Sequence, residues 1–111
     1  AAPWDVLAGG CVRGRVLLAD HLDVVDGIAT SESNILLLRT MSGEEDIPSG
    51  VRGLVVGHDL PHLSHLAVRA RQAGVALVAC EETMAFASLK QMSGKVCVLN
   101  ASAGATNESL L

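Results

Sequence analysis

Residues 55–72 read VVGHDLPHLSHLAVRARQ. The segment opens with an apolar run, continues through a polar loop, and then places apolar residues at i, i+3, i+4 and i+7, the spacing of an amphipathic helix. Ser64 is a typical helix N-cap, and Gly74 is typical of a helix end. The pattern therefore predicts a strand, a loop and a helix over Ser64–Ala73, with His65 at the start of the helix.

Short apolar runs bounded by Gly, Asp, Asn or Ser on either side of this segment are typical of strands. The predicted strands are Val12–Leu18, Ile35–Arg39, Gly53–Val56, Val75–Cys80 and Lys95–Leu99. Several are apolar at consecutive positions, as expected of strands covered on both faces. A second helix is predicted over Glu82–Met92, and Gly43–Gly50 is predicted to be a loop or a single helical turn. These elements predict a compact α/β domain with layered β/β/α packing.

The composition limits the function classes. A chain of 111 residues has room for one domain, and its 50% apolar content predicts a folded core. Trp4 and Phe86 are its only aromatic residues, so stacking surfaces for nucleic acid or sugar are not expected. The net charge of -4 also argues against a nucleic-acid partner. No apolar run approaches the roughly 18 residues that cross a bilayer, so no membrane partner is predicted.

The cysteines do not indicate a disulfide framework or a zinc site. Cys11, Cys80 and Cys97 are odd in number and contain no C-x-x-C pair. The sequence predicts reduced thiols buried on strands.

His65 is the residue best placed for chemistry. At the first position of a helix, its ring would lie near free backbone N–H groups and the positive end of the helix dipole, which favours an anion. The imidazole group in general, with an ordinary pKa of about 6.5, has a neutral, nucleophilic nitrogen at physiological pH. Arg69 would lie one turn on, where it could neutralise phosphoryl oxygens, while Arg71 points towards a carboxylate or a docking domain. Asp59 or His62 is the predicted partner that fixes the tautomer of the ring.

The pattern by itself leaves two other interpretations open. A histidine at a helix start is often only a cap or a surface residue, and the chain would then be a non-catalytic β/α interaction module. His58, His62 and His65 could also form a metal site, although their spacing matches no common zinc pattern.

The run LPHLSHLAVRARQ over Leu60–Gln72 closely resembles the phosphohistidine segment of phosphoglucan, water dikinases. It resembles more distantly that of α-glucan, water dikinases and other phosphoenolpyruvate-utilising enzymes. His65 falls on the phosphate-accepting histidine of this family. The resemblance continues through Val75–Glu82 and Gly94–Ala103, and it is best over Gly50–Ala103. It identifies residues 1–105 as a swivelling phosphohistidine domain and Thr106–Leu111 as a linker or frayed end.

One departure from the wider family bears on the substrate. Pyruvate-type relatives carry paired glycines and a threonine just before the Ser-His step, where this chain has Leu60, Pro61 and Leu63. This disfavours a phosphoenolpyruvate or pyruvate reaction. The swivelling domain of an antibiotic- or pyruvate-directed dikinase stays as a further alternative.

The resemblance implies a reaction in which ATP, glucan and water are consumed. The β-phosphate would pass through His65 to a glucosyl hydroxyl, with release of AMP and orthophosphate. ATP and Mg²⁺ would be bound by an ATP-grasp domain outside this chain, beside a starch-binding domain, so this domain is expected to be inactive alone. A plastid location is implied, with the cytosol as the alternative. The residues expected to support the phosphate or orient the ring are Ser64, Arg69, Arg71, His62 and Asp59.

Overall fold

The computed structural model describes residues 4–19, 33–47 and 50–101, which form six strands and two helices. In chain order they are β1 Trp4–Ala8, β2 Gly10–Ala19, β3 Asn34–Leu38, β4 Val51–Val56, α1 His65–Ala73, β5 Ala76–Cys80, α2 Thr83–Lys90 and β6 Val96–Ala101. The predictions of both helices and of five strands are confirmed to within two residues at each end. The structure confirms a compact α/β domain.

The six strands form one mixed sheet in the order β1-β5-β4-β3-β2-β6. The four central strands run parallel, whereas β1 and β6 pair antiparallel at the two edges. Every residue of β3 and β5 is buried. This explains their continuous apolar sequence, because a parallel strand covered on both faces has no wet side.

Alternating residues of the central strands form two cores, one on each face of the sheet. On one face, α1 buries Leu66, Ala67 and Ala70 against Leu36 and Leu54. The other face is covered by α2, which buries Phe86 and Leu89. These two side chains form one cluster with the strand residues Ile35, Leu37, Val55 and Val78. Each fully buried Leu, Ile or Val stabilises the fold by about 1.5–3 kcal/mol relative to an exposed one.

The sheet curls, so that β6 contacts β5 across the second core although the two strands are not neighbours in the sheet. Leu99 of β6 is fully buried in this core. The glycine at position 53 makes room for this approach, because a Cβ there would lie 2.8 Å from Cδ2 of Leu99 and the leucine side chain would have to shift. The curl brings the β2–β6 pair over the face that α2 also covers.

The structure differs from the sequence predictions at strand β1 and in the burial of the cysteines. The strand β1 was not predicted, because Asp5 interrupts its short apolar run and Gly9-Gly10 follows it directly. All three cysteines are free and lie on strands, as predicted, but only Cys80 is buried, while Cys11 is exposed and Cys97 half-buried. The side chain of Cys11 projects from β2 near an edge of the sheet, where nothing in the described residues covers it.

The remaining expectations concern loops, ends and membranes. Residues 43–47 form no helix or strand, in agreement with the predicted loop. The predicted linker over Thr106–Leu111 lies outside the described residues. Within the described part of the chain, neither helix has the length and apolar character needed to cross a membrane.

Candidate functional site

Helix α1 begins where the loop after β4 ends. Ser64 has an extended backbone (φ −63°, ψ 155°), and its hydroxyl accepts the N–H of Ala67 at 3.3 Å. Gly74 ends the helix in the left-handed conformation with φ 71°. His65 is therefore the first residue of α1, and its side chain is 44% exposed. The ring can therefore be reached from solvent.

The ring of His65 is hydrogen-bonded to Asp46. Its Nε2 atom lies 2.9 Å from Oδ1 of this residue, which precedes it by 19 positions. The hydrogen bond from His65 is the largest cause that lowers the pKa of Asp46. The charge of Arg69, and that of the His65 ring when it is protonated, act in the same direction, against the opposing effect of desolvation. The sequence predicts Asp59 or His62 as the partner of the ring, whereas in the structure this contact belongs to Asp46.

Asp46 follows a turn that is closed by the side chain of Glu45. The carboxylate of Glu45 accepts the backbone N–H groups of Ser42 at 2.8 Å and Gly43 at 2.9 Å, and the hydroxyl of Ser42 at 3.1 Å. Burial raises the pKa of Glu45, but the hydrogen bonds outweigh it, so that the net effect lowers the pKa. These three hydrogen bonds in so short a segment fix the direction in which the chain leaves the turn.

Gly43 attaches this turn to the start of α1. Its carbonyl accepts the N–H of Leu66 at 2.7 Å, and its backbone has a φ of 95°, a conformation that favours glycine. With the N–H of Ala67 bonded to Ser64, two of the first N–H groups of the helix are already satisfied within the domain. The expectation that they would be free for an anion is wrong for these two groups. Attraction of an anion is left to the helix dipole and to nearby cationic side chains.

His62 and Arg71 hold the loop before α1 against β1. Nε2 of His62 lies 2.9 Å from Oδ2 of Asp5. Arg71 donates from Nε to the carbonyl of Leu7 at 2.9 Å and from Nη2 to the carbonyl of His62. The sequence predicts a carboxylate or a docking domain as the partner of Arg71, whereas the structure shows two backbone carbonyls. Both residues therefore act on the orientation of the loop.

His58 and Asp59 are joined to each other and to the turn that carries Asp46. Nε2 of His58 accepts the N–H of Met41 at 2.8 Å, so Nδ1 carries the proton and donates to the carbonyl of Asp59 at 2.8 Å. Both ring nitrogens of His58 are thereby engaged. Across residues 4–19, 33–47 and 50–101, no group of three or more His, Cys, Asp or Glu side chains is arranged to hold a metal ion.

A groove of about 390 Å³ lies beside Asp46, the hydrogen-bond partner of His65. It is lined by Asp46, Ile47, Arg69, Gln72 and Ala73. Arg69 lies one helical turn after His65 and is exposed, as the sequence predicts. Among the residues that line this groove, Arg69 carries the positive charge. Asp46 was missed because its contact joins two segments that the sequence shows only as a loop and a helix.

The protein-family model and the similar relatives found by comparison with known proteins agree on one family. The protein-family model described as "Alpha-glucan water dikinase, phosphohistidine-like domain" matches residues 3–109. An alpha-glucan water dikinase of Citrus reticulata, named as chloroplastic, is 35% identical over 94 residues, which are 84% of this chain and 6% of the relative. The chloroplastic enzyme of Solanum tuberosum is 31% identical over 97 residues, 86% of this chain and 7% of the relative.

Alpha-glucan water dikinase 2 of Arabidopsis thaliana is 27% identical over 92 residues, which are 83% of this chain. The matched segment spans 7% of that relative, so the chain corresponds to a small part of each of these proteins. No solved structure gives a significant match.

Proposed function

The chain belongs to the family of alpha-glucan water dikinase phosphohistidine-like domains, and from this premise we propose that it is a phosphocarrier that holds a phosphoryl group on His65. The observation that carries the proposal is the exposed ring of His65 at the junction of a loop and a capped helix. The family match includes this segment. A neutral imidazole is a competent nucleophile at physiological pH.

The neighbouring groups support a transient negative charge on the ring. The N-terminal end of α1 carries a partial positive charge. Arg69 lies one turn along the helix and lines the same groove as Asp46, the hydrogen-bond partner of His65. Its guanidinium is suited to phosphoryl oxygens because it offers several N–H donors in a fixed plane. Ser64 keeps the helix start ordered by capping Ala67.

The complete reaction needs parts that lie outside this chain. ATP and Mg²⁺ would bind to a nucleotide domain of the parent protein, which supplies the phosphoryl group. His65 accepts the β-phosphate, the domain swivels on its linkers, and a glucosyl hydroxyl of an α-glucan takes the phosphate, with AMP and orthophosphate as the other products. We further propose that the preferred glucan is already phosphorylated, on the resemblance of Leu60–Gln72 to the phosphoglucan enzymes. The chloroplastic relatives support a plastid location.

Labelling tests the carrier role. The chain is incubated with ATP labelled at the β-phosphate and a separately supplied glucan dikinase nucleotide domain, and we expect an acid-labile, base-stable phosphoprotein. The variant His65→Ala should lose the label, while His21→Ala, which changes a histidine outside the 55–72 segment, should keep it. Absence of label on the wild-type chain would leave the non-catalytic interaction module as the better interpretation.

The acceptor is tested separately with the labelled chain. Plain glucan, pre-phosphorylated glucan and pyruvate are offered in turn, together with the parent protein's remaining domains. We expect transfer to glucan and faster transfer to the phosphorylated form. Equal rates for the two glucans would contradict the phosphoglucan preference, and transfer to pyruvate alone would contradict the glucan assignment.

A further inference from the structure

The hydrogen bond between His65 and Asp46 fixes which ring nitrogen carries the proton. The low pKa of Asp46 keeps it ionised at neutral pH, and an ionised carboxylate can only accept a hydrogen bond. Nε2 of His65 must therefore be the donor across the 2.9 Å contact. In this tautomer the lone pair resides on Nδ1, and Nε2 is not nucleophilic.

Nε2 is also the ring nitrogen that another domain reaches most easily. It is the outer nitrogen of the imidazole, whereas Nδ1 is adjacent to Cγ and closer to the backbone of the first turn of α1. Oδ1 of Asp46 lies along the direction from which phosphorus would approach Nε2. A phosphoryl group on Nε2 and the contact with Asp46 therefore exclude each other.

We propose, on the basis of the phosphocarrier function above, that Asp46 restrains His65 in the resting domain by holding Nε2 protonated and covered, and that it must move aside before the ring accepts phosphate. The side chain of Asp46 is 84% exposed, so it can turn away without disturbing the core. Arg69 already acts on Asp46 through its charge. A phosphoryl group on the ring would replace the carboxylate as the counter-ion of this guanidinium.

The chemical step follows from this exchange. When Asp46 leaves, Nε2 loses its proton to solvent and Nδ1 takes one up, so that the lone pair moves to Nε2. This lone pair forms the bond to phosphorus, and the bond from phosphorus to its leaving group breaks with the electron pair on the leaving group. In the return step the N–P electron pair goes back to Nε2, the acceptor oxygen bonds to phosphorus, and the hydroxyl proton passes to solvent.

The restraint also affects the equilibrium of the carrier. A contact that exists only in the unphosphorylated state stabilises that state and favours discharge of the phosphoryl group. Asp46 thus slows charging of His65 and promotes delivery from it. Its effect is small because the pair is exposed to water.

The test uses the 111-residue chain with phosphoramidate, a small phosphoryl donor that needs no nucleotide domain. Asp46→Ala should be phosphorylated about two- to five-fold faster than wild type, the size expected for loss of an exposed ion pair. Glu44→Ala is the matched control, since it removes one negative charge from the same turn, and its carboxylate has no bond to the ring within the described residues. It should charge at close to the wild-type rate.

The outcomes separate the restraint from the carrier role itself. Label on wild type but not on His65→Ala, with Asp46→Ala no faster than Glu44→Ala, would overturn the restraint and leave the carrier role standing. No label on wild type would count against both. Nitrogen-15 NMR gives a second readout: the free chain should show the Nε2–H tautomer, and the charged chain should carry phosphate on Nε2. Phosphate on Nδ1 would also overturn the restraint.

Discussion

Arg71 donates from Nε to the backbone carbonyl of Leu7 at 2.9 Å, which joins helix α1 to strand β1. The same guanidinium bonds the carbonyl of His62, whose ring reaches Asp5 in β1. The loop that ends at His65 is therefore held at one side by an edge strand. These contacts make β1 part of the support of the site.

Replacement of Arg71 should destabilise the domain. Arg71→Ala leaves two backbone carbonyls without their charged donor, and we expect a loss of about 1–3 kcal/mol in the free energy of unfolding. Arg71→Lys keeps the charge but cannot reproduce the two-pronged geometry, so it should recover only part of the loss. Urea denaturation followed by circular dichroism measures both. An alanine variant as stable as wild type would show that the two bonds contribute nothing.

Much of the fold could be predicted from local patterns. Residues 35–38 and 75–80 are apolar without interruption, which indicates strands buried on both faces, and the structure places them in β3 and β5. The strand β1 could not be found in this way. Its pairing with β5 joins residues 69 to 76 positions apart, from Ala8 with Leu77 to Trp4 with Cys80. Asp5 also breaks the apolar pattern on which a prediction from local sequence depends.

The candidate site, like the fold, could be predicted only in part from local sequence patterns. His65 could be placed at a helix start from Ser64 and the apolar spacing alone, but its importance came from the family resemblance. Asp46 could not be predicted, because its approach to His65 depends on the turn closed by Glu45 and on the bond from Leu66 to Gly43. The acidic run GEED is a signal in the sequence, yet nothing in it says which carboxylate faces the ring.

Gly43 should tolerate substitution poorly. Its φ of 95° disfavours any residue with a side chain, and a Cβ at this position would lie 3.2 Å from Cβ of Ser64. Gly43→Ala should cost about 1–3 kcal/mol in unfolding free energy and should weaken the contact of Asp46 with His65. Gly94→Ala is the control, because Gly94 also has a positive φ, 85°, but no atom lies within 4 Å of its added Cβ. Equal costs for the two variants would mean that the packing on Ser64 is unimportant.

Glu45 should make stability depend on pH in the acid range. Its pKa in the folded chain is below the ordinary value of 4.5, so its contribution is complete above that value and is lost as the pH falls through the folded-state pKa. Glu45→Gln should lower the unfolding free energy by about 1–2 kcal/mol at neutral pH. The difference from wild type should shrink as the pH falls.

Denaturation at neutral pH and at two acid pH values measures this difference. Glu44→Gln serves as the control, because the side chain of Glu44 makes none of the bonds that close the turn. If the wild type and Glu45→Gln differed by the same amount at every pH, the hydrogen bonds of the ionised carboxylate could not be the cause.

Leu63 and Leu66 lie on either side of His65 and differ completely in burial. Leu66 is fully buried against β3 and β4, whereas Leu63 is 85% exposed. Leu66→Ala should cost about 2–5 kcal/mol because it leaves a cavity in the core, while Leu63→Ala should change stability by less than about 0.5 kcal/mol. Thermal or urea unfolding measures the stability of the two variants, which carry the same Leu-to-Ala change three positions apart. If Leu66→Ala were as stable as Leu63→Ala, the side chain of Leu66 could not be what packs α1 on the sheet. The position of His65 at the start of α1 would then lose its structural basis.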